Sequence, residues 1–203
     1  MNDAIDKQES CSNPAYTERL IRLQNARWKR ILGVQRPYCW NLRRLDPGFT
    51  LDIGCGIGRN LEHLRGNGVG IDLSEASVGY VRRLGMQAFT PSEFKESAYC
   101  RESCFDSLLF SHVLEHMTFS EAVDLVRMYL PFLKQQGRVI IISPQERGFL
   151  SDSTHVEFFD FQKLGMIARE LELHNLKEYS FPFPAIFGTV FIYNEFVFVC
   201  RCN

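Results

Sequence analysis

The feature that most constrains this chain is a short apolar run, Phe49–Ile53, that opens directly into the glycine-rich stretch L-D-I-G-C-G-I-G-R-N, Leu51 to Asn60. Alternating glycines at 54, 56 and 58 allow a tight turn and a close backbone approach to a ligand, with amide groups unpaired where the next helix begins. A strand, a glycine turn and a helix form half of a βαβ unit. The rest of the chain repeats that rhythm. Strands are expected at Val69–Leu73, Met86–Thr90, Phe105–Phe110 and Arg138–Ser143, the last strongly β-branched. Helices are expected at Arg59–Leu64, Glu75–Leu84, Ser120–Lys134 and Phe161–Leu171, with Pro91 opening a short helix at its favoured first position. Two further strands, Leu176–Phe181 and Glu195–Arg201, close the chain. This order predicts an α/β fold: a Rossmann-like doubly wound sheet, mostly parallel with an antiparallel last strand, its ligand beyond the carboxyl ends of the strands.

Upstream, residues 1–14 are expected to be unstructured. Thr17–Leu32 reads as a helix with Leu20, Ile21, Trp28, Ile31 and Leu32 on one stripe, and Pro37, Pro47 and Gly48 break the region after it. Arg19 to Arg44 holds eight Lys or Arg and no Asp or Glu, so the remainder carries 15 basic against 24 acidic residues although the whole chain is close to neutral. With 203 residues, 45% of them hydrophobic, one domain with a sizeable core is expected: 1–45 a tail and basic lid helix, 46–203 the Rossmann-like core. The polar first ten residues have no signal-peptide core, and no run approaches the roughly 18 apolar residues of a membrane span. Seven scattered cysteines fit thiols in a reducing cytoplasm better than a disulfide framework.

The glycine spacing differs from the dinucleotide fingerprint G-x-G-x-x-G, because the third glycine comes one residue early. An acid, Asp52, precedes the first glycine by two, and Asp72 ends G-V-G-I-D-L eighteen residues after Gly54, where an acid can accept hydrogen bonds from ribose hydroxyls. Taken together the set resembles the class I S-adenosylmethionine-dependent methyltransferases, whose first motif reads D-x-G-C-G-x-G. F-D-S-L-L-F-S-H-V-L-E-H, Phe105 to His116, is similar to that family's fourth-strand segment, and G-R-V-I-I-I-S-P, Gly137 to Pro144, to its fifth strand. The resemblance implies S-adenosylmethionine as cofactor. It implies Gly54, Cys55, Gly56 and Gly58 around the methionine part, with Asp52 behind them, and Asp72 at the ribose. It puts Leu73 on the adenine, Glu93 and Phe94 closing over it from P-S-E-F, and Ser111 and His112 beside the cofactor. The commoner pattern has an acid directly after the third strand, from which P-S-E-F departs. The basic N-terminal helix would act as a lid.

His112, Glu115 and His116 also spell H-x-x-E-H, a zinc-peptidase pattern. That chemistry needs both histidines on one helical face and a third ligand. Here His112 follows directly on a strand and no third ligand is evident, so no metal is expected. After the fifth strand comes a long polar loop, S-P-Q-E-R-G-F-L-S-D-S-T-H-V-E-F-F-D, Ser143 to Asp160. His155 in it is the candidate general base or acceptor-orienting group, with Glu157 to orient it or bind the acceptor and His116 as the other catalytic candidate. An imidazole titrates near neutral pH and can accept a proton from a hydroxyl.

The segment S-F-P-F-P-A-I-F-G-T-V-F-I-Y-N-E-F, Ser180 to Phe196, is either core, a homodimer contact or an apolar wall for the acceptor, with Tyr193, Asn194 and Glu195 able to face a pocket. The basic N-terminal region favours an anionic acceptor. A fourth strand ending in S-H-V-L rather than N-P-P-Y argues against nucleobase amino methylation, and no RNA-binding module is evident. The expectation is methyl transfer, preferentially to oxygen, on a small-molecule or sugar- or lipid-linked acceptor. The alternatives are a nicotinamide-dependent oxidoreductase and a cofactor-binding protein without catalysis.

Overall fold

A computed structural model describes residues 35–202. The expected helix at Thr17–Leu32 and the tail before it lie outside these residues. The chain divides after Tyr99 into two compact units, taken in turn.

The first unit begins with helix α1, Arg36–Arg44. Pro37 sits in its first turn, so it starts a helix where the sequence reading had it break one; the missing amide is no loss at a position with no intrahelical acceptor. Strand β1, Thr50–Ile53, is buried along its whole length. It leads through the glycine turn into the short helix α2, Arg59–His63. Strand β2, Gly68–Ile71, pairs in parallel with β1 and with β3, Gln87–Phe89. Between them helix α3, Glu75–Arg83, starts on a Ser74 side chain that accepts from the Ser77 amide. The last helix of the unit, α4, Pro91–Glu96, opens on a capping box between Thr90 and Glu93. One face of this parallel sheet closes on Cys55, Leu61, Val78, Val81 and Ala88. Gly70 is demanded by that packing, since a Cβ there would lie 2.5 Å from the Cys55 sulfur.

The second unit holds four strands in the order β4-β5-β7-β6. Strand β4, Phe105–Ser111, runs parallel to β5, Leu133–Pro144. A 3₁₀ turn, Leu114–His116, and helix α5, Phe119–Tyr129, connect them. The helix stops earlier than the expected Lys134 because Pro131 cannot continue it, and β5 starts correspondingly sooner. After β5 come helix α6, Glu146–Phe149, and helix α7, Phe161–Glu170, the latter begun by the Asp160 carboxylate accepting from the Lys163 amide. Strands β6, His174–Phe181, and β7, Glu195–Arg201, form an antiparallel hairpin, and β7 is also antiparallel to β5. The buried faces of these strands carry Phe105, Leu108, Phe110, Ile140 and Phe198. The fold is therefore the expected Rossmann-like, mostly parallel α/β class with an antiparallel last strand. No helix among the described residues is long and apolar enough to cross a membrane, and the six described cysteines are unbridged.

Candidate functional site

In the first unit the glycine turn supplies the candidate cofactor cradle. Gly54, Gly56 and Gly58 all have positive φ, at 74°, 53° and 81°. That is a left-handed path which side chains with a Cβ adopt only at a cost. At Gly58 space is also short, since a Cβ would come within 2.9 Å of Val81. At Gly56 nothing lies within 4 Å of that position, so the turn faces open room. Two carboxylates stand behind it. Asp72 accepts from the Gly56 amide through Oδ2 (2.7 Å) and from the Ser74 amide through Oδ1 (2.9 Å). Burial raises its pKa, opposed by those two amides. Asp52 is wholly buried; Asn60 Nδ2 donates to its Oδ1 at 3.4 Å, and its Oδ2 has no hydrogen-bond partner among the described residues. Burial, with Asp72 adding repulsion, lifts Asp52 to about 7 against the Asn60 hydrogen bond. An orphaned buried carboxylate oxygen behind an open glycine turn fits a cofactor that carries an ammonium and a sulfonium.

The other residues expected here are placed unequally. Cys55 turns its side chain into the core, so only its backbone can line a ligand. Leu73 is 59% exposed and offers an apolar platform. Phe94 is 2% exposed and packed inside. Glu93 spends its carboxylate on the Thr90 amide (2.7 Å) and on a two-pronged pair with Arg82 (3.1 and 3.0 Å), which hold its pKa down.

In the second unit β4 ends at Ser111, and His112 follows at φ 58°. This strained corner aims its ring at two carboxylates, Glu195 Oε1 (Nε2, 3.0 Å) and Glu115 Oε1 (Nδ1, 3.3 Å). Burial alone would lower the imidazole, but the two acids outweigh it and raise it to about 10. With 43% of the side chain exposed, water screens part of that attraction. Sequence reading did not single out Glu115 as a partner of its neighbours, nor Glu195 as a partner of His112. The register Pro144↔Glu195 across β5 and β7 sets where Glu195 starts its strand, and no local motif carries that information.

The loop after β5 brings His155 against His116, with ring centroids 4.9 Å apart at 63°. Backbone bonds fix the approach: the amides of Val156 and Glu157 donate to the Glu115 carbonyl at 2.7 and 3.2 Å. His155 Nδ1 donates to the Phe149 carbonyl (2.7 Å), and the ring stacks on Phe149 at 5.2 Å. The Thr154 hydroxyl donates to Asp152 Oδ1 (2.7 Å), so its oxygen accepts from His116 Nδ1 (3.2 Å). Both rings therefore keep a lone pair on Nε2. Burial pushes His116 below its ordinary range.

Glu157 does not orient His155. Its Oε2 accepts from the Phe119 amide at the start of α5 (2.6 Å) and its Oε1 pairs with Lys163. The orienting acid is Asp152, acting on His116 through Thr154. Asn194 does not face a pocket either. Buried, it donates to Gln145 Oε1 (2.7 Å) and accepts from the Phe183 amide (3.0 Å), pinning the connection between β6 and β7. Tyr193, by contrast, is exposed.

Seen as architecture, the two units define a Rossmann-like methyltransferase fold, and solved structures of that kind resemble it at low identity. A SAM-dependent methyltransferase from Archaeoglobus fulgidus aligns with TM-score 0.61 at 17% identity, covering 85% of this chain and 99% of that one. Magnesium protoporphyrin IX methyltransferase from Synechocystis PCC 6803, with bound SAM, aligns with TM-score 0.57 at 15% identity, covering 87% and 90%. A 1,6-didemethyltoxoflavin-N1-methyltransferase from Burkholderia thailandensis, with bound S-adenosylhomocysteine, aligns with TM-score 0.57 at 16% identity, covering 92% and 88%. A comparison with curated proteins found no match. Residues 51–141, which include the glycine turn, Asp72 and β4, match the sequence model of a methyltransferase domain. The fold and the matched stretch together resemble those of S-adenosylmethionine-dependent methyltransferases, the match spanning 91 of the 203 residues.

Proposed function

We propose that the enzyme methylates an oxygen of a small-molecule or sugar- or lipid-linked acceptor, and that His155 and His116 are its catalytic groups. The observation that carries this reading is the pair of imidazoles with both Nδ1 atoms engaged and both Nε2 atoms holding lone pairs. A hydroxyl must shed its proton as it is methylated, and a neutral imidazole is the side chain suited to accept it near pH 7. The cofactor, when bound, supplies the electrophilic methyl on a sulfonium, so the chain's own task is to position the acceptor and take its proton. Asp52, the three turn glycines, the Cys55 backbone, Asp72 and Leu73 make up the cofactor cradle, with Glu93, Phe94, Ser111 and His112 as further candidates. An anionic acceptor suits the basic stretch Arg19–Arg44, of which the described part, α1, carries Arg36, Arg43 and Arg44.

Isotope-labelled S-adenosylmethionine incubated with small-molecule extracts identifies the acceptor. His155→Ala should then lower turnover by about 10²–10⁴-fold with cofactor affinity nearly unchanged. Full turnover in both His155→Ala and His116→Ala would leave the enzyme working by positioning alone and would sink the base assignment.

A further inference from the structure

The geometry points to a divalent-cation site made by Glu115, His116 and His155. One ligand atom from each lies within 4.8 Å of the other two. Tetrahedral ligand bonds near 2.1 Å put donors about 3.4 Å apart, so modest side-chain rotation closes the triad around an ion. The sequence had pointed away from a metal for want of a third ligand. The loop after β5 supplies it: the amides that bind the Glu115 carbonyl belong to Val156 and Glu157, next to His155.

Two independent features mark the cluster as built for an ion. The first is Glu115, whose side chain is 1% exposed and whose carboxylate oxygens make no hydrogen bond among the described residues. His112 Nδ1 stands 3.3 Å from Oε1 without hydrogen-bond geometry, and Oε2 has no hydrogen-bond partner among the described residues. A buried carboxylate left this way is costly, and a cation on Oε2 would compensate it. The second is the outer support of the histidines. His116 Nδ1 is held by Thr154 and through it by Asp152, and His155 Nδ1 by the Phe149 carbonyl. Carboxylate and carbonyl partners of this kind orient metal-ligating imidazoles and fix the tautomer that leaves Nε2 to the ion.

Two imidazoles with one carboxylate suit first-row transition ions such as Zn²⁺, Co²⁺ or Mn²⁺, whereas Mg²⁺ and Ca²⁺ prefer oxygen ligands throughout. Three protein ligands leave a coordination position open, as catalytic sites do. With an ion bound, His116 and His155 would serve as its ligands rather than as proton acceptors, and an acceptor hydroxyl on the ion, its pKa lowered by the cation, would pass its proton to solvent water. The cation site stands on its own geometry; only this last role rests on the reading of the enzyme as an oxygen methyltransferase.

The test uses the full-length chain without a histidine tag, stripped with a chelator and titrated calorimetrically with Zn²⁺, Co²⁺ and Mg²⁺. One Zn²⁺ per chain is expected, with a Co²⁺ absorption spectrum of nitrogen and oxygen ligation lacking thiolate charge-transfer bands, and no comparable Mg²⁺ affinity. Glu115→Gln and His155→Asn should each weaken Zn²⁺ binding by more than the 10–100-fold typical of losing an outer partner. His174→Ala, an exposed histidine of β6, should leave it unchanged. Thermal unfolding of each variant without metal confirms that it folds, and either ligand variant alone suffices for the comparison. Absence of stoichiometric binding, or binding retained in both ligand variants, overturns the site. If the stripped protein transfers methyl at full rate, the catalytic role of the ion falls while the methyltransferase reading stands.

Discussion

Asp52→Asn should make the ligand-free protein more stable at pH 8 and should do so only there. Asp52 is wholly buried and one of its carboxylate oxygens has no hydrogen-bond partner among the described residues. Burial is the main reason its pKa rises from 3.8 to about 7, with Asp72 adding repulsion and Asn60 opposing. A raised acid works against stability as pH rises: the unfolded chain releases this proton near pH 4, the folded chain only near pH 7. The cost accumulates between those values and is complete above the upper one. The gap between 3.8 and about 7, at about 1.4 kcal/mol per pH unit, gives a penalty of about 4 kcal/mol at pH 8. Asparagine removes the charge but brings an amide N–H beside the orphaned position, at a cost of about 1–3 kcal/mol. The net gain of about 1–3 kcal/mol should raise Tm by several degrees, at roughly 2–4 °C per kcal/mol for a chain of this size. Thermal unfolding of both proteins at pH 4.5 and pH 8 measures it. Binding of S-adenosylmethionine, read by calorimetry at pH 8, should weaken in the variant, because the charge facing a cationic ligand is gone. A variant no more stable than wild type at pH 8, or an equal difference at both pH values, would refute the reasoning.

Asp72→Ala should weaken S-adenosylmethionine binding by about 1–3 kcal/mol in calorimetry, since it also releases the Gly56 and Ser74 amides that shape the turn. Gly58→Ala should lower stability by about 1–3 kcal/mol in urea titration, because φ is 81° and the new methyl meets Val81 at 2.9 Å. Glu157→Ala should cost about 1 kcal/mol of stability, because the part-buried Phe119 amide at the start of α5 loses its acceptor, and leave turnover intact. Asn194→Ala should cost about 2–4 kcal/mol in the same titration, because it strands buried Gln145 and the Phe183 amide.

By itself the sequence determined the fold class, the order of the elements and the glycine turn. These are local matters: short continuous apolar runs make strands buried on both faces, D-x-G-C-G-x-G needs positive φ at its glycines, and Ser74, Thr90 and Asp160 announce helix starts by the hydrogen bonds their side chains accept. The last strand, Glu195–Arg201, was legible to the residue because E-F-V-F-V-C-R is an apolar, partly β-branched run that follows the polar Asn194. What the sequence left open was the pairing of polar side chains distant along the chain. Glu157 stands two residues from His155 yet caps α5, while Asp152, three residues away on the other side, orients His116 through Thr154. His112 finds its partner 83 residues on, at Glu195, because the register of β5 on β7 places that residue there. Glu115 and His116 gain His155 as a neighbour only when the loop after β5 folds back onto the 3₁₀ turn. A hydrogen bond or a ligand set depends on where a side-chain tip ends up to within about 1 Å, and that position is the sum of strand register, loop path and rotamer, none of which is a property of a local stretch of residues.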